Sequence, residues 1–100
     1  MKIYEYNGKK NISGKNLKKI RRQKNMSQET LSHLLQLEGV VIDRFSISRI
    51  EAGTRFVADY ELYMLAKVLD ARLEDFFVPE QLSGGEKPSD DLSKKAFTPE

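Results

Sequence analysis

The sequence predicts an all-α fold, a compact bundle of about five short helices. Three observations favour it: apolar residues recur at helical spacing, the connections between these segments are short, and no stretch alternates apolar and polar residues as a core strand does. We divide the 100 residues into an N-terminal basic arm or short hairpin (1–12), a helical domain (13–78) and a flexible polar tail (79–100).

The composition, with 39% hydrophobic and 32% charged residues, is that of a small globular domain. The absence of cysteine excludes a disulfide scaffold, a cysteine–zinc site and a cysteine nucleophile, and it favours a cytoplasmic location. No apolar run is long enough for a membrane span or a signal peptide. No side chains pair a nucleophile or metal ligands with a base, so we expect no enzyme, no metal and no cofactor.

Charge is unevenly distributed along the chain. The net charge is only +2, yet residues 1–24 contain nine Lys or Arg and one Glu, a net of +8. Residues 25–78 carry a net of −4 and residues 79–100 a net of −2. A basic first quarter on an otherwise acidic chain predicts one side of the protein that attracts a polyanion.

The arm contains Asn7-Gly8, the strongest two-residue hairpin signal, between flanks long enough for two short strands. Because a lone hairpin is marginally stable in water, a mobile basic arm is an equally consistent interpretation. Ser13 is then the predicted N-cap of a first helix that runs to about Lys24, and Asn25 suits the turn that ends it.

Ser27 and Asp43 are the predicted N-caps of the second and third helices. The connection between these helices contains Gly39 and a β-branched run, which favour a loop. The third helix is predicted over about residues 44–52, and Gly53 is the expected left-handed residue that ends it.

A fourth helix is predicted to begin near Ala58 and Asp59, with apolar residues at helical spacing behind it. Because alanine cannot cap a helix, this start should be less firm than the others. A short fifth helix, 73–77, contains Phe76 and Phe77, and core closure and a contact with a second copy are both open for this pair.

The segment 27–53 has the pattern of a helix-turn-helix, in which two helices pack at an angle. Ser32 is small enough for the point of closest approach, and Ile47 and Ile50 point from the later helix into the bundle. The outer face of that later helix carries Arg44, Phe45, Ser48 and Arg49. Such a face is what a recognition helix presents to the major groove of DNA.

Four motifs stand in register over roughly residues 13–78. They are Leu17-x-x-Ile20-Arg21, Met26-Ser27-Gln28-Glu29-x-Leu31-Ser32, Ile47-Ser48-Arg49-Ile50-Glu51-x-Gly53 and Tyr60-Glu61-Leu62-x-x-Leu65-Ala66-x-x-Leu69. On these motifs the chain resembles the lambda-repressor-like, Cro/C1-type (XRE) helix-turn-helix family of bacterial and phage regulators. Relative to the shortest family members, its connection between the second and third helices is longer.

The resemblance implies a sequence-specific transcriptional regulator that binds double-stranded DNA, expected to be a repressor, with the third helix inserted in the major groove. One small domain reaches useful specificity as two copies, so the expected partners are a pseudo-palindromic operator and a second copy of the chain, and no membrane. The alternative is an antitoxin or adaptor-type protein-interaction module on the same fold, in which the tail would be the working part.

The resemblance also assigns residues. The base-contacting positions hold Arg44, Phe45, Ser48 and Arg49, although Arg49 could instead bind acidic groups of the bundle. The predicted phosphate-binding residues are Ser27, Gln28, Lys18, Arg22, Thr54 and Arg55, with a solvated helix face as the alternative role of the first-helix lysines. Gln28 is also implied to buttress the recognition helix, and Arg21 and Glu51 to form a structural ion pair.

Overall fold

The computed structural model describes residues 5–79. They form four α-helices and a 3₁₀ helix: α1 (Gly14–Gln23), α2 (Gln28–Leu37), α3 (Arg44–Ala52), α4 (Asp59–Leu69) and the 3₁₀ helix (Leu73–Phe77). Residues 5–79 contain no β-strand, and the predicted all-α bundle with a central helix-turn-helix is confirmed. The predictions for 1–4 and for the tail beyond Pro79 lie outside the described residues.

Residues 6–9 form a tight turn. Tyr6 and Lys9 exchange backbone hydrogen bonds of 2.7 and 3.0 Å across Asn7 and Gly8, both of which have positive φ. Positive φ at both central residues is the signature of the tight hairpin turn that Asn-Gly favours. The backbone N–H of Lys10 then donates to the carbonyl of Gly53, which joins the turn to the end of α3.

The start of α1 corrects one prediction. Ser13 does precede the helix, but its backbone is already helical and its side chain makes no capping hydrogen bond. The Asn11 Oδ1 accepts from the backbone N–H of Gly14 at 2.8 Å instead. Since an Asn side chain can bind a backbone N–H three residues ahead, it replaces the expected serine cap. The helix ends as expected, with Asn25 in the left-handed region.

The next two helices begin as predicted. The Ser27 Oγ accepts from the Thr30 N–H at 3.0 Å, and the Asp43 Oδ1 accepts from the Ser46 N–H at 2.7 Å. The connection between α2 and α3 contributes more than a loop does, because Ile42 is only 2% exposed and belongs to the core. Gly53, at φ 82°, ends α3 as predicted.

The start of α4 is firmer than expected. The side chain of Glu61 accepts from the backbone N–H of Ala58 at 2.9 Å, so one orphan donor of the helix N-terminus is satisfied without a capping serine or threonine. At the far end of the domain, the Asn16 Nδ2 of α1 donates to the carbonyls of Phe76 and Val78. Phe76 is fully buried, whereas Phe77 is about half exposed.

The core lies between the four α-helices and is closed by the 3₁₀ helix. Its largest fully buried side chains are Phe76, Leu17, Leu31, Leu35, Ile42, Ile47, Ile50, Leu65 and Leu69. Along residues 5–79, no helix has the length and apolar character needed to cross a membrane. α3 contributes Ile47 and Ile50 to this core and leaves Arg44, Phe45, Ser48 and Arg49 exposed.

Candidate nucleic-acid interface

The outer face of α3 is the first element of the candidate interface. Arg44, Phe45, Ser48 and Arg49 are all exposed, and Phe45 keeps 61% of its surface in water. The guanidinium of Arg44 lies 5.0 Å from the centroid of the Phe45 ring, a cation–π distance. The Arg49 Nη2 donates to the Ser46 Oγ at 3.2 Å, a hydrogen bond within α3.

The N-terminus of α3 is fixed by Asp43. The Ser46 backbone N–H donates to this carboxylate, and that hydrogen bond holds the pKa of Asp43 below its ordinary value. Arg49 adds a favourable charge from the next turn. A carboxylate in this position suits the positive end of the helix dipole and keeps the first turn of α3 formed.

The inner side of α3 is held by Glu51, which is nearly buried. Its Oε2 accepts from the Arg21 Nε at 2.6 Å, and its Oε1 accepts from Arg21 Nη2 at 3.1 Å and from Gln28 Nε2 at 2.9 Å. The side chains of Arg21 and Glu51 are 10% and 4% exposed. Bidentate arginine–carboxylate geometry fixes orientation as well as distance, so α1, α2 and α3 meet at one defined point.

A second contact sets the position of α3 relative to α2. The Ser32 Oγ of α2 donates to the carbonyl of Ile42 at 2.7 Å, immediately before α3 begins. The longer connection is therefore tied to α2 by a hydrogen bond and to the core by the buried Ile42 side chain. Ser32 was predicted for the closest approach of the two helices, and its hydroxyl binds the connection that joins them.

The predicted phosphate-binding residues lie in three places: at the start of α2, just after α3 and on α1, which is described below. Ser27 and Gln28 lie at the N-terminus of α2, where the amide of Gln28 already donates to Glu51. Thr54 is exposed just after α3, and its hydroxyl donates to the carbonyl of Arg49 at 3.2 Å. The free backbone N–H groups of a helix N-terminus attract anions, so the α2 start is chemically suited to a phosphate.

Arg55 has a structural partner that the sequence-based assignment did not include. Its guanidinium bonds both oxygens of Glu61 at 3.1 Å and the carbonyl of Phe56 at 2.9 Å. This hydrogen bonding raises the pKa of Arg55. Partial burial pushes the pKa of Glu61 upward, but the bonds from Arg55 and Ala58 outweigh it, and the pKa lies below its ordinary value.

Lys18 and Arg22 lie apart from the α3 face. Both are exposed on α1, and at 100° per residue Lys18 lies about 60° and Arg22 about 100° around the helix from the buried Arg21. Arg21 is the α1 residue that binds α3, through Glu51, and the phosphate-binding assignment of Lys18 and Arg22 stays a prediction.

Two lysines near α3 were not predicted as site residues. The side chain of Lys9 packs over Gly53, where a Cβ atom would collide with it. The Lys10 Nζ lies 5.7 Å from the centroid of the Phe56 ring. Asn11 binds the same end of α3, where its Nδ2 donates to the carbonyls of Ile50 and Arg55 at 3.0 and 2.8 Å. The only signal available in the sequence was the basic character of the arm.

No family model matches the chain, and no curated protein matches it. Among solved structures it is similar to the crystal structure of the restriction-modification controller protein C.AhdI from Aeromonas hydrophila. The sequences are 33% identical, the match covers 64% of this chain and 86% of the other, and the TM-score is 0.56. Together with the Glu51-anchored helix-turn-helix, this likeness shows that the chain belongs to the Cro/C1-type helix-turn-helix family of DNA-binding regulators.

Proposed function

We propose that the protein is a sequence-specific transcriptional regulator of double-stranded DNA that acts as a repressor by occupying promoter DNA. The observation that carries the proposal is the contrast between the two sides of α3. Its inner side is held by Ile47, Ile50 and the Glu51 hydrogen bonds, whereas its outer side is exposed along the whole helix. A rigid helix with one unoccupied polar and aromatic face is suited to the major groove.

The chemistry of the outer face supports contact with base edges. In this proposal Arg44 and Arg49 donate to the O6 and N7 atoms of guanine, since a guanidinium matches that pair of acceptors. Phe45, which is exposed beside Arg44, packs on a thymine methyl group. Ser48 lies between them on the same face and is able to donate to or accept from a base.

In this proposal, contacts with the DNA phosphates fix the position of α3 on the duplex. Ser27 and Gln28 at the N-terminus of α2, together with Thr54 after α3, flank the outer face of α3 and bind phosphates in this proposal. Arg55 contributes a phosphate contact only through the part of its guanidinium that Glu61 leaves available. Lys9 and Lys10 extend the basic surface from the Gly53–Phe56 side.

The proposal includes a homodimer on a pseudo-palindromic site, because one domain of this size presents a small interface with DNA. It places the protein in the cytoplasm as a binding protein and not an enzyme. The controller role printed for the similar Aeromonas hydrophila protein supports a regulatory function. Repression is the form of regulation expected when a bound protein covers promoter DNA.

The test begins with selection of bound duplexes from a random pool by the full chain. The Arg44→Ala variant is then titrated against the selected duplex and its single-base variants. We expect a loss of about 1–3 kcal/mol of discrimination at one base pair, because one bidentate contact is removed. Arg72→Ala is the matched control, since Arg72 is an exposed arginine next to the 3₁₀ helix and far along the chain from α3.

Two outcomes contradict the proposal. Equal, weak binding to every duplex removes sequence specificity and favours an adaptor-type interaction module. Unchanged discrimination in Arg44→Ala shows that α3 does not present Arg44 to a base. The expected result is instead a steep dependence of affinity on salt for the selected duplex, since phosphate contacts release counterions.

A further inference from the structure

The two arginines on the outer face of α3 are held in different ways. The guanidinium of Arg44 lies against the ring of its neighbour Phe45, 5.0 Å from the centroid. The Arg49 Nη2 donates instead to the Ser46 Oγ at 3.2 Å, one turn nearer the N-terminus of α3. Ser46 is half-buried and was not predicted as a site residue. Its hydroxyl therefore restricts where the Arg49 guanidinium lies.

Asp43 adds a negative charge at the same end of α3. Its carboxylate accepts from the Ser46 backbone N–H at 2.7 Å, and this bond is the largest cause of the lowered pKa of Asp43. The Ser46 hydroxyl and the positive charge of Arg49 lower that pKa further. Residues three apart along a helix are neighbours on its surface. Asp43, Ser46 and Arg49 therefore form a continuous row of polar groups along α3.

This row draws the Arg49 side chain toward the N-terminus of α3. Long side chains of a helix lean over the preceding turn, and the hydroxyl and the carboxylate both lie on that side of Arg49. The Cα atoms of Arg44 and Arg49 are separated by about 7.5 Å of helix axis. Binding to Ser46 brings the Arg49 guanidinium back toward Arg44, at the end of a recognition helix that contacts base edges.

We propose that Ser46 is a positioning residue for sequence recognition, whose hydroxyl holds the Arg49 guanidinium in the orientation in which it donates to a guanine. The inference rests on the proposed function and adds to it a residue that acts through Arg49. One N–H of the guanidinium is bound to Ser46, and others stay available for the O6 and N7 atoms of the base.

Restriction of Arg49 increases discrimination between sequences. An arginine side chain loses rotamer freedom when it binds, and part of that loss has already occurred where Ser46 holds it. A guanidinium without this contact also reaches phosphate oxygens, which are the same in every sequence. Removal of the hydroxyl should therefore reduce the ratio of affinities between the preferred duplex and its single-base variants.

The experiment is a double-mutant cycle on the full chain, with Ser46→Ala, Arg49→Ala and the combination of both. Each protein is titrated against the duplex obtained by selection and against its single-base variants. Ser46→Ala removes the hydroxyl but keeps the backbone N–H that binds Asp43, so the N-cap of α3 is preserved. Arg49→Ala is the matched background, because it lacks the group on which Ser46 acts.

We expect Arg49→Ala to reduce discrimination at one base pair. Ser46→Ala should reduce discrimination at that same base pair by about two- to tenfold, the range expected for the ordering of one long side chain. The base pair that depends on Arg44 should be unaffected. In the Arg49→Ala background, Ser46→Ala should have no further effect, whereas a purely structural role of Ser46 would persist there.

Four results overturn the inference. Ser46→Ala leaves discrimination unchanged, or it reduces discrimination equally at all base pairs, or its effect persists without Arg49. The fourth is an Arg49→Ala variant that loses no discrimination while Arg44→Ala does. Failure of the proposed function is seen separately, because Arg44→Ala and Arg49→Ala would then both leave discrimination unchanged at every base pair.

Discussion

Two glutamates, each bound by an arginine, organise this molecule on different scales. Glu51 accepts hydrogen bonds from Arg21 and Gln28, which lie 30 and 23 residues away on two other helices. Glu61 accepts from Arg55 and from the backbone of Ala58, only 6 and 3 residues away. Glu51 determines how α1, α2 and α3 meet, whereas Glu61 determines where α4 begins.

The comparison shows that two similar ion pairs should differ in how much stability is lost when the glutamate is removed. Both carboxylates are largely buried, but the arginine of the Glu51 pair is 10% exposed and that of the Glu61 pair is 28% exposed. When a partner is removed from a buried pair, the remaining charge is left without compensation. Water can reach Arg55 more easily than Arg21, so the local pair should tolerate the loss of its glutamate better.

The largest expected effect is that of Glu51→Ala. This change leaves the guanidinium of Arg21 buried without its carboxylate and removes the acceptor of Gln28. We expect the free energy of unfolding to fall by about 3–5 kcal/mol. Chemical denaturation of the full chain measures it, with Glu38→Ala as the control because the Glu38–Lys67 pair is exposed. A loss no larger than that of the control would refute the central role given to Glu51.

A substitution at Gly14 tests the contact between α1 and α3 by steric overlap, without changing a charge. Alanine at this position places a Cβ atom against the carbonyl oxygen of Ile50, so α1 and α3 must separate. We expect Gly14→Ala to cost about 1–3 kcal/mol of stability, despite the higher helix propensity of alanine. Lys18→Ala in the same helix, at an exposed position, is the control for propensity. Stabilisation by Gly14→Ala would show that the two helices do not meet as closely as described.

The smallest effect concerns Glu61→Gln, which keeps the shape of the side chain but removes its charge. We expect a loss of about 1 kcal/mol at neutral pH, because the amide oxygen keeps the bonds to Ala58 and one Arg55 N–H without the negative charge, whereas the amide nitrogen cannot accept from the other Arg55 N–H. The pKa of Glu61 is depressed below its ordinary value of 4.5 in the folded protein. Its contribution is therefore complete above that value and is lost as the pH falls through the depressed pKa.

The pH dependence tests the contribution of the Glu61 charge. Unfolding curves recorded from pH 7 to about pH 3 should show the wild type and Glu61→Gln converging in stability below pH 4.5. A difference that stays constant with pH would mean that the charge of Glu61 contributes nothing. A loss as large as that of Glu51→Ala would remove the distinction between local and long-range pairs.

Local signals predicted much of the fold. The caps at Ser27 and Asp43 and the left-handed positions Asn25 and Gly53 all depend on atoms within a few residues, and the structure contains each of them. The Ser13 prediction was wrong because a nearby side chain competed. Asn11 was better placed, since it also bonds residues 39 and 44 positions away.

The remainder required long-range information. Ile42 belongs to a segment that favours a loop, and only the three-dimensional path of the connection places its side chain in the core. The side of the bundle on which Lys18 and Arg22 lie depends on how α1 packs against α3. The base-contacting and phosphate-binding assignments remain predictions, because a protein surface alone does not identify the atoms it binds.

The side chain of Asn11 also has a kinetic consequence. Its amide bonds the carbonyl of Ile50, and the preceding Lys10 bonds Gly53, so this part of the N-terminal segment has its partners in a part of the chain synthesised some 40 residues later. Contacts between residues so far apart in sequence form late, because closing the loop between them costs conformational entropy. During synthesis, the amides before α1 should stay open to hydrogen exchange until the C-terminal turn of α3 has emerged. Protection at Lys10 then reports that the helix-turn-helix is complete.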